Sequence, residues 1–183
     1  MTGHPCKVPG YYRCQGSSCG FDSQRYNGVC DKDGCGINPY RNGNKKFFGP
    51  GSSFDVDTSK PFSIVTQFIT ADNTDQGDLR EIRRFYVQNG NKINFPKANI
   101  SGMNPFDSLS NQNCQAQMSK FGDSNYYLTT GGTKSMGDAL KRGMVLVMSL
   151  WDDYGTHMKW MDGVFPPGAD PNQPGVAKGP CSP

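Results

Sequence analysis

Glu81-Ile82-Arg83-Arg84-Phe85-Tyr86-Val87-Gln88-Asn89-Gly90-Asn91-Lys92-Ile93-Asn94-Phe95 is the stretch from which the fold class is read. Glu81–Gln88 alternates in a strand pattern, with Arg83 and Arg84 marking a partly wet strand. Asn89-Gly90 is a hairpin signal, because a tight two-residue turn needs positive φ at both central positions. The chain then returns through Lys92–Phe95. Upstream, within residues 51–69, Phe62, Ile64 and Phe68 alternate with Ser63, Val65 and Gln67 in a second strand pattern, and Ala71–Asp78 reads as the turn between. Residues 96–110 read as loop. Asn111–Phe121 and Thr133–Arg142 are helix candidates, the second ended by Gly143. Met144–Trp151 is the most apolar run and reads as a strand buried on both faces or nearly so. A short helix near His157–Met161 and a Pro/Gly-rich loop, Phe165–Pro180, follow. No internal repeat or linker divides residues 1–183. The expected architecture is one all-β domain, an antiparallel β-sandwich with elaborate loops.

Composition agrees with that reading. Gly (23) and Pro (13) are abundant and hydrophobic content is 34%, a mix that suits turns and ordered loops better than helical packing. Aromatic content of 11% excludes a disordered chain. The net charge of +3 comes from scattered Lys and Arg, so there is no basic stripe for nucleic acid. No apolar run approaches the roughly 20 residues that span a bilayer.

Five of the seven cysteines, Cys6, Cys14, Cys19, Cys30 and Cys35, fall in the first fifty residues among many Gly, Asn and Asp. Their gaps are irregular and only His4 and His157 accompany them. Disulfides explain them better than a metal does, and no metal or other cofactor is expected. Disulfides imply an oxidising, extracellular compartment. Met1-Thr2-Gly3-His4-Pro5 carries no apolar leader, so the expectation is that a secretion signal lies upstream. Asn99-Ile100-Ser101 is a glycosylation sequon.

The polar residues offer little catalytic machinery. Glu81 is the sole glutamate, on an Arg-rich strand, and reads as a surface ion-pair partner. Asp31, Asp33, Asp72 and Asp75 sit in turn contexts, where Asx hydrogen bonding accounts for them. Asp152 and Asp153 are adjacent, so on a strand they point to opposite faces. A retaining glycosidase needs two carboxyls about 5 Å apart across one bond. His157 reads as an exposed loop or helix residue, and His4 as one held firmly by a neighbouring disulfide. Trp151 and Trp160 divide between a core reading and a binding one. Flat aromatic faces among polar residues stack the C–H faces of sugar rings, while carboxylates and guanidinium forks meet the hydroxyls. Arg25-Tyr26 supplies such a fork.

Several motifs resemble one family. They are Cys30-Asp31-Lys32-Asp33-Gly34-Cys35, Asn38-Pro39-Tyr40-Arg41, Phe48-Gly49-Pro50-Gly51, Thr66-Gln67-Phe68 and Tyr86-Val87-Gln88-Asn89-Gly90. The most specific is Gly143-Met144-Val145-Leu146-Val147-Met148-Ser149-Leu150-Trp151-Asp152-Asp153-Tyr154. In order and spacing, from His4 to Cys181, the chain resembles cellulases of glycoside hydrolase family 7. The resemblance implies a concanavalin-like jelly-roll sandwich with a cellulose-binding cleft or tunnel, here incomplete at both ends. It also implies retaining hydrolysis of β-1,4-glucan, with cellobiose released by the cellobiohydrolases. The family's nucleophile and acid/base are glutamates of a Glu-x-Asp-x-x-Glu motif that lies before the segment matching His4-Pro5-Cys6. This chain, with Glu81 alone, carries no catalytic residue and is expected to be inactive by itself.

What the resemblance carries over is the product side. His4 matches a histidine beside the cleavage point, Arg25 an arginine over the product sites, and Asp33 an acidic contact there. Trp160 matches a stacking tryptophan just beyond the scissile bond, and Trp151 one on the substrate side. Lys178 stands where an arginine is common, which keeps the charge but loses the bidentate fork. Gly36 and Phe165 stand where an aspartate and a tyrosine are common, and both departures remove polar contacts. The loops Gly20–Asn27 and Pro166–Ala177 favour a cellobiohydrolase over an endoglucanase. The implied disulfides are Cys6–Cys30, Cys14–Cys19 and Cys35–Cys114, with Cys181 unpaired. The expected partner is cellulose or a cello-oligosaccharide, bound by a secreted, monomeric parent that engages neither nucleic acid nor a membrane. Two other readings stand beside this one: a β-glucan-binding protein without hydrolysis, and a disulfide-rich structural or inhibitory protein.

Overall fold

A computed structural model of the chain describes residues 1–181. In chain order its elements are β1 (Thr2–Gly3), two 3-10 turns (Gly16–Cys19 and Asp22–Asn27), β2 (Cys35–Gly36), β3 (Phe48–Gly49), β4 (Val56–Asp57), β5 (Ser63–Thr70), β6 (Leu79–Gln88), β7 (Asn91–Asn94), β8 (Ser108–Ser110), α1 (Asn111–Phe121), α2 (Tyr126–Thr129) and α3 (Gly132–Arg142). Strands β1 and β2 pair antiparallel, β3 and β4 pair parallel, and the longest sheet runs β5-β6-β7 with β8 also on β6. The chain divides into two compact units, residues 1–36, 67–83 and 108–145 in the first and 37–66, 84–107 and 146 onward in the second.

In the first unit, β8 pairs with β6 through Glu81↔Ser110, Ile82↔Leu109 and Arg83↔Ser108. Sequence alone reads residues 96–110 as loop, whereas Ser108–Ser110 is a strand. Three residues are too few to show an alternation, and β8 exists because β6 offers it a ladder. Helix α1 begins where Ser110 Oγ accepts the Asn113 N–H at 3.2 Å and ends where Gly122 turns left-handed at φ 72°. Its buried residues are Cys114, Gln117 and Met118, and Leu109, Ile82 and Tyr127 of the same unit are buried as well. Disulfides Cys6–Cys30, Cys14–Cys19 and Cys35–Cys114 staple this unit. The last ties β2 to α1 across 79 residues. Such closure stands in for a hydrophobic core that two-residue strands cannot build.

In the second unit, β6 and β7 form the hairpin read from sequence, with Tyr86↔Ile93 and Gln88↔Asn91 in register. Asn89 at φ 52° and Gly90 at φ 77° make the turn. Phe47, Phe48, Phe62 and Phe95 gather at the core end of this hairpin. The rings of Phe47, Phe48 and Phe62 meet Tyr86 edge-on, and Phe95 lies 5.9 Å from Phe47. The buried Gln88 amide donates to Asp57 O at 2.8 Å and accepts from Asp57 N–H at 3.0 Å.

Three local expectations are corrected. Met144–Trp151 forms no strand and pairs with none among the described residues. It lies exposed, Leu150 fully so. An apolar run specifies a preference for burial; only a neighbouring strand can make it a ladder. His157–Met161 is not a helix. His157 and Met158 both take left-handed φ (51° and 58°), and Asp153 Oδ1 accepts the Gly155 and Thr156 N–H groups in an Asx turn that competes with helix. Glu81 is an ion-pair partner but not a surface one: its side chain is 11% exposed.

Candidate functional site

The six sequence-derived site residues fall into two groups, one in each unit. The first group is built on the turn Asp31–Gly34, which the Cys6–Cys30 disulfide and the Asp31 N–H to Pro5 O bond (2.9 Å) hold in place. Asp31 Oδ1 accepts the Asp33 N–H at 3.1 Å, an Asx turn. His4 lies against this turn, its Nδ1 2.9 Å from Asp31 O. A carbonyl can only accept, so Nδ1 carries the proton in this contact. Gly34 makes this fit. Its φ is +70°, and a Cβ there would lie 2.6 Å from the His4 ring.

Asp33 projects from the same turn onto Arg25, whose Nε and Nη2 both converge on Asp33 Oδ1. Partial burial pushes the Asp33 carboxyl up, but hydrogen bonds from Arg25 and Tyr26 outweigh that and hold it below its ordinary range. Asp31 goes the other way. Burial raises it, and the backbone N–H groups of Gly34 and Asp33 offset this only in part. Arg25 and Tyr26 stand on the second 3-10 turn and are exposed, so the guanidinium and the carboxylate both face solvent.

The second group gathers around Asp153. Trp160 donates its indole N–H to Asp153 Oδ2 at 2.7 Å, and Trp151 lies 6.2 Å from Trp160, centroid to centroid, tilted by 49°. Trp151 is 67% exposed, so the core reading of that side chain is set aside. Hydrogen bonds from Thr156 and Trp160 hold the Asp153 carboxyl below its ordinary range. Lys178 extends its Nζ over the Phe165 ring at 5.1 Å, a cation–π contact. Sequence reasoning missed the role of Asp153; its spacing to Thr156 is an Asx-turn signal that was open to notice.

Chemically, the first group offers a guanidinium–carboxylate pair and an imidazole, and the second, taken by itself, an exposed indole beside a hydrogen-bonded one and an ammonium. Among the described residues no group of three or more His, Cys, Asp or Glu is placed to hold a metal.

The model of glycosyl hydrolase family 7 matches residues 1–183. The chain belongs to this family. It is 49% identical to a family 7 cellobiohydrolase from Daphnia pulex, with a TM-score of 0.95 over 98% of this chain and 41% of that one. It is 38% identical to the endocellulase EGI of Humicola insolens, with a TM-score of 0.82 over 100% of this chain and 40% of that one. A cellobiohydrolase from Melanocarpus albomyces, complexed with cellotetraose, is 33% identical, with a TM-score of 0.85 over 100% of this chain and 40% of that one. The family 7 chain described here therefore spans about two fifths of the length of these relatives. Its class is theirs, all-β with antiparallel sheets of the sandwich kind and disulfide-stapled loops.

Proposed function

We propose that the chain carries product-side sugar-binding residues of a retaining β-1,4-glucan cellobiohydrolase that takes part in cellulose degradation. The observation that carries this reading is Trp160, pinned by Asp153, with exposed Trp151 of the substrate side 6.2 Å from it, in a chain of family 7. Trp151 and Trp160 stack glucose rings through their C–H faces. Arg25, Asp33, His4 and Lys178 contribute polar contacts to hydroxyls. The loops Gly20–Asn27 and Pro166–Ala177 favour cellobiohydrolase over endoglucanase action. The parent is secreted and monomeric, and neither nucleic acid nor a membrane is a partner. Three disulfides support an oxidising compartment, and among the described residues no helix is long and apolar enough to cross a membrane.

Hydrolysis is not assigned to this chain by itself. Glu81 is its only glutamate, and the carboxylate is occupied by Arg80, Arg83 and Ser108. That observation equally favours the second reading, a β-glucan-binding protein without hydrolysis.

Tryptophan fluorescence titrated with cellotetraose, with maltotetraose as control, tests both. Saturable quenching by cellotetraose alone, lost in W151A and unaccompanied by cellobiose release, is the expected outcome. No quenching sinks the sugar-binding reading. Release of cellobiose by the purified chain sinks the assignment of no catalytic residue.

A further inference from the structure

Residues 163–178 of the second unit form a closed loop. Its neck is fastened by backbone: Lys178 donates its N–H to Gly163 O at 2.7 Å, Val164 bridges Ala177, and the Phe165 N–H reaches Val176 O at 3.4 Å. The Lys178 carbonyl is met by the side chain of Asn38, whose Nδ2 donates to it at 2.8 Å and to Met161 O at 3.4 Å. The other end of the same amide is occupied as well. Asn38 Oδ1 accepts the Tyr40 N–H at 2.8 Å and the Arg41 N–H at 3.2 Å, closing an Asx turn. That turn delivers Arg41, whose Nε donates to Gly175 O at 2.7 Å. Asn38-Pro39-Tyr40-Arg41 therefore grips the loop at its neck and near its end. The bonds from Asn38 and Arg41 to Met161, Gly175 and Lys178 span 123 to 140 positions of chain, so no local propensity supplies them.

We propose that Asn38 is a positioning residue of the sugar site, fixing the backbone of Lys178 and thereby the ammonium held over Phe165. The assignment rests on the reading that Lys178 meets the sugar. Only a side chain that donates and accepts at once can hold a turn on one side and a carbonyl on the other. Asp accepts only, and an aliphatic residue does neither.

N38D is nearly isosteric. It keeps the acceptor for Tyr40 and Arg41 and sets a carboxylate oxygen against the Lys178 carbonyl in place of the donor. N38S keeps the turn without charge and is too short to reach Lys178; it carries the same test if N38D fails to fold. Amide hydrogen exchange is expected to quicken roughly tenfold at Lys178, Phe165 and Val176 in either variant, with the β6–β7 hairpin unchanged. Unchanged exchange in that loop overturns the assignment.

Cellobiose titration of the parent, N38D, K178A and the double variant separates the two layers. Loss in N38D that adds nothing on top of K178A supports action through Lys178. Additive losses overturn it. If the parent binds no cellobiose, the functional reading of Lys178 fails, while faster exchange in N38D still establishes Asn38 as the clasp of the loop.

Discussion

The indole N–H of Trp160 meets Asp153 Oδ2 at 2.7 Å across seven residues of turn. The carboxylate also caps Thr156 and Gly155, so one side chain orders both the turn and the ring presented by it. D153A is expected to leave the indole free to rotate and to weaken cellotetraose binding about tenfold, the worth of one charge-assisted hydrogen bond. Titration by tryptophan fluorescence reads it. Because hydrogen bonds from Thr156 and Trp160 depress the Asp153 carboxyl, the order it supplies is full above about pH 4 and is lost as pH falls through the lower folded-state value.

Arg25 and Asp33 make the matching prediction in the first unit. The Asp33 carboxyl is depressed against its partial burial, so the ion pair contributes fully above about pH 4 and vanishes on further acidification. Both groups are more than a third exposed, so R25A is expected to change stability by no more than about 1 kcal/mol. The Asp33 carboxyl should rise toward its ordinary value in R25A, as followed by carbonyl-carbon NMR during acid titration. A titration unchanged from the parent would mean that the pair does not form in solution.

Glu81 separates structure from chemistry. Its carboxylate accepts from the Ser108 hydroxyl at 2.8 Å, while Arg83 and Arg80 approach from exposed positions. E81A leaves buried Ser108 without that acceptor, though both guanidinium groups still reach water. The expected cost is about 1–3 kcal/mol in a urea melt. Cellotetraose affinity should stay at the parent value, because the carboxylate faces Ser108 rather than a ligand.

The disulfides should differ in worth by the length of chain they close. Cys35–Cys114 spans 79 residues and Cys14–Cys19 only 5. On the chain-entropy account, removing the first pair costs about 4.5 kcal/mol and the second about 2 kcal/mol. Paired Cys→Ala variants and denaturant melts check the order. The parent should present one thiol, Cys181, which donates to Asp162 Oδ2 at 3.2 Å and is raised by that carboxylate. Maleimide should therefore label Cys181 faster in D162N.

Asn99 is exposed at the head of a turn that Met103 closes onto Ile100 O, and Ser101 is exposed beside it. Expression through a eukaryotic secretory pathway is expected to yield a mass shift removed by peptide N-glycosidase and absent in S101A. An unshifted parent would refute modification at this site.

Sequence reading worked where the governing physics is local. Asn89-Gly90 made the hairpin because positive φ belongs to those two residues whatever surrounds them. Helix α1 runs Asn111–Phe121 as read, and the residues that start and end it, Ser110 and Gly122, adjoin it in the chain. Family motifs were legible for the same reason: order and spacing are properties of the chain alone.

The tertiary structure decided what depends on partners distant in sequence. Glu81 looked like a surface residue because nothing nearby announced β8, whose Ser108 covers it. Met144–Trp151 looked buried because apolarity states a preference and cannot supply a neighbouring strand. Trp160 beside Trp151, and Asn38 under Lys178, were likewise invisible until the chain folded. Backbone preference and spacing travel with the residue; burial and hydrogen-bond partnership exist only between residues, and the fold brings those together.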